Sequence, residues 1–282
     1  MIFKPFGSTG VEVSAIGQGT WDMPESGARL TAAKRALLRG VALGMTHVDT
    51  AEMYGDGRVE EMLGDTFAGT PRETLFLASK VLPSNASFEG TLAACDASLR
   101  RLRTDYLDLF MLHWPSAHPL EETMRGLETL VERGKARFIG VSNFDVNELR
   151  EARGYLRNVP LACNQVLYHL NERGVESGVV PYCRKAGIAV VAYTPFGRGR
   201  FARDTQGMRT LETIARKHGA SARQIVLAFL IRDPIVFAIP KAADERHVAD
   251  NADGAHVTLD DADVAAIDAA YARGPDGPLA SL

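Results

Sequence analysis

Eight short apolar runs, each separated from the next by a segment of helical periodicity, constrain this chain more than any other feature. They centre on residues 15–18, 45–48, 75–79, 107–112, 137–141, 161–165, 188–193 and 235–239. Runs of this kind read as strands buried on both faces, the habit of parallel sheets covered by helices. The segments between them, Thr31 to Leu43 and Ser87 to Leu102 for example, carry apolar residues at three- and four-residue spacing. Thr31 suits a helix N-cap, and Gly44, Gly134, Gly187 and Gly219 each stand where a glycine closes a helix. Eight β-α units in 282 residues predict an α/β fold of the closed (β/α)8 TIM-barrel type, which typically takes about 250 residues. One domain over residues 1–282 is expected, opening with a β-hairpin over 1–14 that turns at Gly7-Ser8-Thr9-Gly10. Residues 273–282, with Gly274-Pro275 and Gly277-Pro278, read as an irregular tail. An open Rossmann sheet would require a Gly-x-Gly-x-x-Gly turn after an early strand. Gly17-Gln18-Gly19 comes nearest, but Met23-Pro24 follows where the third glycine and a helix should stand.

Three of the runs end in a reactive side chain. The run closing at Val48 meets Asp49, with Tyr54 five positions on; Leu75 to Ser79 meets Lys80; Leu107 to Leu112 meets His113-Trp114-Pro115. Chemistry on a barrel gathers at the carboxyl ends of its strands. Adjacent strands lie about 4.8 Å apart, so an acid, a phenol, an amine and an imidazole are expected to meet. A lysine ammonium beside a tyrosine favours the phenolate, and a carboxylate beside the lysine keeps it charged. Asp49, Lys80 and Tyr54 thus make a proton relay towards a substrate oxygen that His113 can hydrogen-bond. Singly, each residue has a plainer reading: a helix cap for Asp49, a structural ion pair for Lys80, packing for His113. All four being plain at once is a poor account of the spacing.

Composition sets the boundaries. With 46% hydrophobic and 24% charged residues, the chain can bury a full core. A net charge of −3 and a pI near 6.2 leave no footprint for nucleic acid. Arg100-Arg101-Leu102-Arg103, the densest basic run, closes a helical pattern where cations complement the helix dipole. Met1-Ile2-Phe3-Lys4-Pro5 lacks the apolar segment of a signal peptide, and no run reaches the roughly 20 apolar residues that span a bilayer. Cys95, Cys163 and Cys183 are set among apolar neighbours and read as buried hydrophobes of a cytoplasmic protein. No metal is expected, because Cys-x-x-Cys and His-x-x-x-His spacings are lacking.

The segments Asp49-Thr50-Ala51-Glu52-Met53-Tyr54, Ser79-Lys80 and Leu112-His113-Trp114 resemble the catalytic tetrad of the aldo-keto reductases. Further motifs follow in the family's order along nearly the whole chain. The resemblance implies that Ser142 and Asn143, in Gly140-Val141-Ser142-Asn143-Phe144, and Gln165, in Asn164-Gln165-Val166, hold a nicotinamide carboxamide. It implies that Tyr193, in Ala192-Tyr193-Thr194-Pro195-Phe196-Gly197, stacks on the nicotinamide ring, and that Ile239-Pro240-Lys241 and Asn251 grip the adenosine end. Gly19, Thr20, Trp21, Thr194, Phe196, Arg198, Ala242 and His247 join Asp49 as expected cofactor contacts. Trp21, Tyr54, His113 and Trp114 are expected to wall the substrate pocket, although Trp21, Trp114 and Tyr193 also read as core aromatics. His169 reads as structural. Arg198 and Arg200 suit either a solvated loop or a contact to the cofactor pyrophosphate. The implied activity is NAD(P)H-dependent reduction of a small carbonyl compound by a monomer, with NADPH as cofactor and NADH as an alternative. Asn164 to Leu170 and Asp49 to Tyr54 are most similar to bacterial reductases of methylglyoxal and related aldehydes.

Two departures stand out. Relatives often place Ser after the Ile-Pro-Lys lysine and Arg six positions beyond it, against the 2′-phosphate of NADPH; here Ala242 and His247 occupy those places. Arg246 comes one residue early, a rotation of about 100° along a helix that turns it elsewhere. The short stretch after the last helix, in place of a long loop over the pocket, predicts an open site that discriminates poorly among aldehydes. Two competing readings remain: a Schiff-base lyase with a neutral Lys80 as nucleophile, and a non-catalytic regulator that binds nicotinamide.

Overall fold

A computed structural model describes residues 1–198, 205–274 and 279–281. Its strands are β1 (Phe3–Pro5), β2 (Glu12–Ser14), β3 (Gln18–Gly19), β4 (His47–Asp49), β5 (Phe76–Val81), β6 (Leu107–Leu112), β7 (Ala136–Ser142), β8 (Leu161–Leu167), β9 (Ala189–Tyr193) and β10 (Val236–Ile239). The helices are α1 (Gly27–Ala42), α2 (Arg58–Thr66), α3 (Phe88–Leu102), α4 (Leu120–Glu132), α5 (Val146–Tyr155), α6 (Val179–Ala186), α7 (Thr205–His218), α8 (Ala222–Ile231), α9 (Glu245–Asp253) and α10 (Asp261–Ala270). Strands β3 to β10 form one parallel sheet in sequential order. Parallel bridges from Ile16 to Ala238 and from Gly19 to Lys241 join its two edges, so the sheet closes into a barrel.

The expected strand over 15–18 is only partly regular. Gly17 donates to the Ala238 carbonyl at 2.8 Å, but the continuous ladder starts at Gln18. A β-carbon at Gly17 would sit 2.6 Å from the His47 carbonyl oxygen, so the chain squeezes past β4 here rather than lying flat beside it. Helix α1 also departs from expectation. It begins at Gly27 behind Ser26, and Thr31 lies inside it, turned back towards the Gly27 carbonyl. The polar stretch Glu25 to Arg29 shows no apolar stripe to betray a helix. Ser87 does cap α3, accepting from the Gly90 N–H. Gly44, Gly134, Gly187 and Gly219 all take the left-handed backbone that a helix-closing glycine supplies.

The hairpin β1-β2 closes one end of the barrel. Its turn carries Phe6 onto the barrel axis, with ring centroids 4.9 Å from Phe76, 5.0 Å from Phe237 and 6.1 Å from His47. Gly7 is required there, since a β-carbon would fall 2.5 Å from the Gly187 carbonyl oxygen and φ is +58°. Above this plug the interior is filled by Ala78, Leu109, Met111, Cys163, Val191 and Phe237. Side chains alternate along a strand, so Lys80 shares the inward face with Phe76 and Ala78, and Asp49 shares it with His47. The last inward layer before the carboxyl ends is therefore polar. Among the described residues no helix is long and apolar enough to cross a membrane.

Candidate active site

Asp49, Lys80 and Tyr54 meet as expected. Lys80 is fully buried, and its Nζ lies 2.6 Å from Asp49 Oδ1. It also donates to the Thr50 carbonyl at 2.8 Å and to the Tyr54 hydroxyl at 3.4 Å. The second Asp49 oxygen accepts from Gln165 Nε2 at 2.7 Å, so the carboxylate is held from both sides. His113 faces the Tyr54 ring edge-on, with centroids 5.8 Å apart.

The electrostatics differ from expectation at Tyr54. Its pKa is raised: burial is the largest cause, the Lys80 charge opposes it, and Asp49 adds to it. Lys80 does pull the phenol down, but its charge is largely offset by the carboxylate 2.6 Å away, so desolvation wins. For Lys80 itself burial disfavours the charge, yet Asp49 and Tyr54 outweigh it and the pKa is raised. The His113 imidazole is pushed down to about 2, by burial first and by Lys80 second. At neutral pH the site thus holds a protonated phenol, an ammonium and a neutral imidazole. His113 Nδ1 is buried without a hydrogen-bond partner among the described residues.

These groups open into a cavity of about 370 Å³. Gly19, Thr20, Trp21, Asp49, Tyr54, His113, Trp114, Ser142, Asn143, Gln165, Tyr193, Thr194, Arg198 and Lys241 all line it, which gathers most of the residues singled out in the sequence. Thr20 fastens its strand end to β4 by donating Oγ1 to the Asp49 carbonyl at 2.8 Å. The Tyr193 hydroxyl donates to Asn143 Oδ1 at 2.9 Å, and Asn143 Nδ2 approaches Ser142 Oγ at 3.3 Å and the His113 carbonyl at 3.4 Å. Asn143 and Thr194 take left-handed backbone, with φ of 62° and 53°, which turns their chains sharply at the rim. Trp21 and Trp114 are 46% and 37% exposed; they are rim residues rather than core aromatics. Arg198 stacks on Trp21, its guanidinium carbon 4.6 Å from the ring centroid.

Other expected contacts lie elsewhere. Phe196 is buried in the main core, with the Arg223 guanidinium over its ring. Ala242, His247 and Asn251, on the segment from Lys241 through α9, do not themselves line this cavity. Arg246 does not turn away from His247: its Nη2 comes within 3.5 Å of His247 Nε2, because a long side chain undoes the helical rotation. Arg200 lies outside the described residues. Met53 and Ile239 also line the cavity; the sequence shows both beside motif residues, but with no chemistry of their own to single them out. No cluster of three or more His, Cys, Asp or Glu stands ready for a metal among the described residues.

This barrel and this site define a class. Residues 15–272 match the pattern of the Aldo/keto reductase family, and the chain belongs to that family. Among named relatives it is similar to methylglyoxal reductase YeaE of Escherichia coli (strain K12), 43% identical over 93% of this chain and 92% of the relative. It is also similar to glyoxal reductase of Bacillus subtilis (strain 168), 36% identical over 92% of this chain and 90% of the relative. An aldo-keto reductase from Klebsiella pneumoniae, solved in complex with NADPH, superimposes with a TM-score of 0.92 at 38% identity, covering 100% of both chains.

Proposed function

We propose that this protein reduces small aldehydes, methylglyoxal-like dicarbonyls first among them, using NADPH and Tyr54 as proton donor. The observation that carries the reading is the placing of Lys80 Nζ between Asp49 and the Tyr54 hydroxyl, in the cavity that Ser142, Asn143, Gln165 and Tyr193 also line. That donor set suits a nicotinamide: amide and hydroxyl groups for a carboxamide, a phenol ring for stacking, and Lys241 towards a phosphate. When bound, the nicotinamide supplies the hydride.

The residues of the chain supply the rest. A neutral His113 can donate one ring N–H to the carbonyl oxygen and hold it near Tyr54 without adding charge. Tyr54 keeps its proton while the oxygen is a weakly basic carbonyl. It gives that proton up as the oxygen becomes an alkoxide, and Lys80 stabilises the phenolate left behind. Asp49 keeps Lys80 charged and is itself fixed by Gln165. Substrate breadth follows from the exposed Trp21 and Trp114, which offer flat apolar walls but few polar groups to reject a wrong aldehyde. The methylglyoxal and glyoxal reductases among its relatives favour a small dicarbonyl. Free, buried Cys95, Cys163 and Cys183 accord with a cytoplasmic protein.

A charged Lys80 counts against the Schiff-base reading, which needs a neutral amine. NADPH oxidation measured across a panel of aldehydes, methylglyoxal included, tests the proposal. Binding of NADPH without turnover of any of them would favour the regulator instead, and borohydride trapping of a substrate on Lys80 would favour the lyase.

A further inference from the structure

Tyr54 hangs from an unusual piece of backbone. Gly55, Asp56 and Gly57 follow it with φ of 58°, 53° and 88°, three consecutive residues in the left-handed region before α2 begins at Arg58. Asp56 is not a glycine, so the turn carries strain, and such strain persists only where the surroundings over-determine the conformation. What holds it lies outside the cavity.

Glu60, in the first turn of α2, is completely buried. One carboxylate oxygen accepts from Arg101, with Nε at 2.7 Å and Nη2 at 2.6 Å; the other accepts the Ser79 hydroxyl at 2.5 Å. Ser79 is the outward-facing neighbour of Lys80 on β5, so the same carboxylate that holds α2 is bonded to the strand residue beside the lysine. Arg101 also braces the turn itself, since a β-carbon at Gly57 would lie 2.7 Å from its Cδ. A buried carboxylate that costs several hydrogen bonds to satisfy is a costly way merely to pack a helix. Here it ties together the two elements whose separation sets the 3.4 Å between Lys80 Nζ and the Tyr54 hydroxyl.

We propose that the Glu60–Arg101 ion pair, fastened to β5 through Ser79, holds the left-handed turn so that the Tyr54 hydroxyl stays in reach of Lys80. Glu60 and Arg101 are then positioning residues for carbonyl reduction, although neither lines the cavity. The inference rests on Tyr54 acting as proton donor.

The test compares Glu60→Gln, Arg101→Met, Arg101→Lys and Ser79→Ala for kcat, NADPH affinity, melting temperature and the pH dependence of kcat. Misplacing a reacting group by about 1 Å can cost roughly a hundred-fold, so Arg101→Met and Glu60→Gln should lose about ten- to a hundred-fold in kcat. NADPH affinity should stay within about twofold, because the cofactor's expected contacts are untouched. The alkaline limb of the kcat profile should move to higher pH as Tyr54 loses the nearby ammonium. Arg101→Lys should recover part of the loss seen with Arg101→Met. If Glu60→Gln fails to fold, Ser79→Ala and Arg101→Lys keep the core filled and report the same two quantities. Wild-type kcat per bound cofactor and an unmoved alkaline limb, with only a lower melting temperature, would reduce the pair to a structural role and overturn the proposal. An active Tyr54→Phe enzyme would instead remove the proton-donor reading on which it stands.

Discussion

The Arg246 guanidinium lies within 3.5 Å of His247 Nε2 at the first turn of α9. An arginine and a histidine therefore share the place where the resemblance puts the 2′-phosphate of NADPH. A histidine offers neither the permanent charge nor the fork of an arginine. Arg246→Ala is expected to weaken NADPH by about ten- to a hundred-fold, the worth of one charge-assisted contact of roughly 1.5–3 kcal/mol, while leaving NADH nearly unchanged. His247→Arg should tighten NADPH by less than about tenfold, since Arg246 already reaches the position. Calorimetric titration of both cofactors decides. Equal affinity of wild type and Arg246→Ala for NADPH would mean that the side chain turns away when the phosphate arrives.

Tyr54→Phe removes the proton and little else. Its kcat is expected to fall by about 10²–10⁴-fold with NADPH binding near wild type, because in the proposed mechanism the phenol acts on the developing alkoxide rather than on the cofactor. Retention of more than about a tenth of wild-type kcat would contradict the assignment.

Lys80→Met acts through two partners at once. Tyr54 loses the one group that lowers its pKa, so kcat falls; Asp49 keeps only Gln165 as a side-chain donor. Breaking a buried pair typically costs about 3–5 kcal/mol, and the remaining Gln165 bond favours the lower end. Chemical denaturation and turnover measured on the same preparation check both. A Lys80→Met protein as stable and as active as wild type would dissolve the relay.

His47 makes folding sensitive to acid. Burial, opposed by Asp49 and assisted by Lys80, pushes its pKa from 6.5 down to about 4, and neither ring nitrogen finds a partner among the described residues. Below pH 6.5 the unfolded chain binds a proton that the native one refuses until about pH 4, so stability drops as pH falls through that window. The loss between pH 7 and pH 5 is about 2 kcal/mol. His113, pushed down to about 2, adds in the same direction. His47→Leu should flatten the dependence and match or exceed wild-type stability at pH 5. Urea midpoints at several pH values test it: parallel curves for the two proteins would show that His47 takes up its proton alike in the folded and unfolded states.

How far these features were legible in the sequence depends on distance. Asp49, Lys80 and His113 were readable because each ends an apolar run, and a strand end on a barrel is a place with known chemistry. The contraction of β3 was not, since closure depends on Ala238 and Lys241 at the far end of the chain. Nor was the direction of the Tyr54 shift: Lys80 alone argues one way, and only the extent of burial and the tight Asp49 partner reverse it. Phe196 carried a family motif yet packs inward. Glu60 is half of an acidic pair, Glu60-Glu61, at the start of a helix. In isolation that reads as a solvated face; its partners stand 19 and 41 positions away.

The two rim aromatics have a further consequence. The chain contains only two tryptophans, and Trp21 and Trp114 both border the same cavity. All tryptophan emission from this protein therefore arises at the mouth of the site, with no contribution from a distant core residue. A ligand that displaces Arg198 from Trp21 or shields either indole from water therefore changes a signal that carries no background from core tryptophans. The unlabelled protein is in effect a probe of its own occupancy.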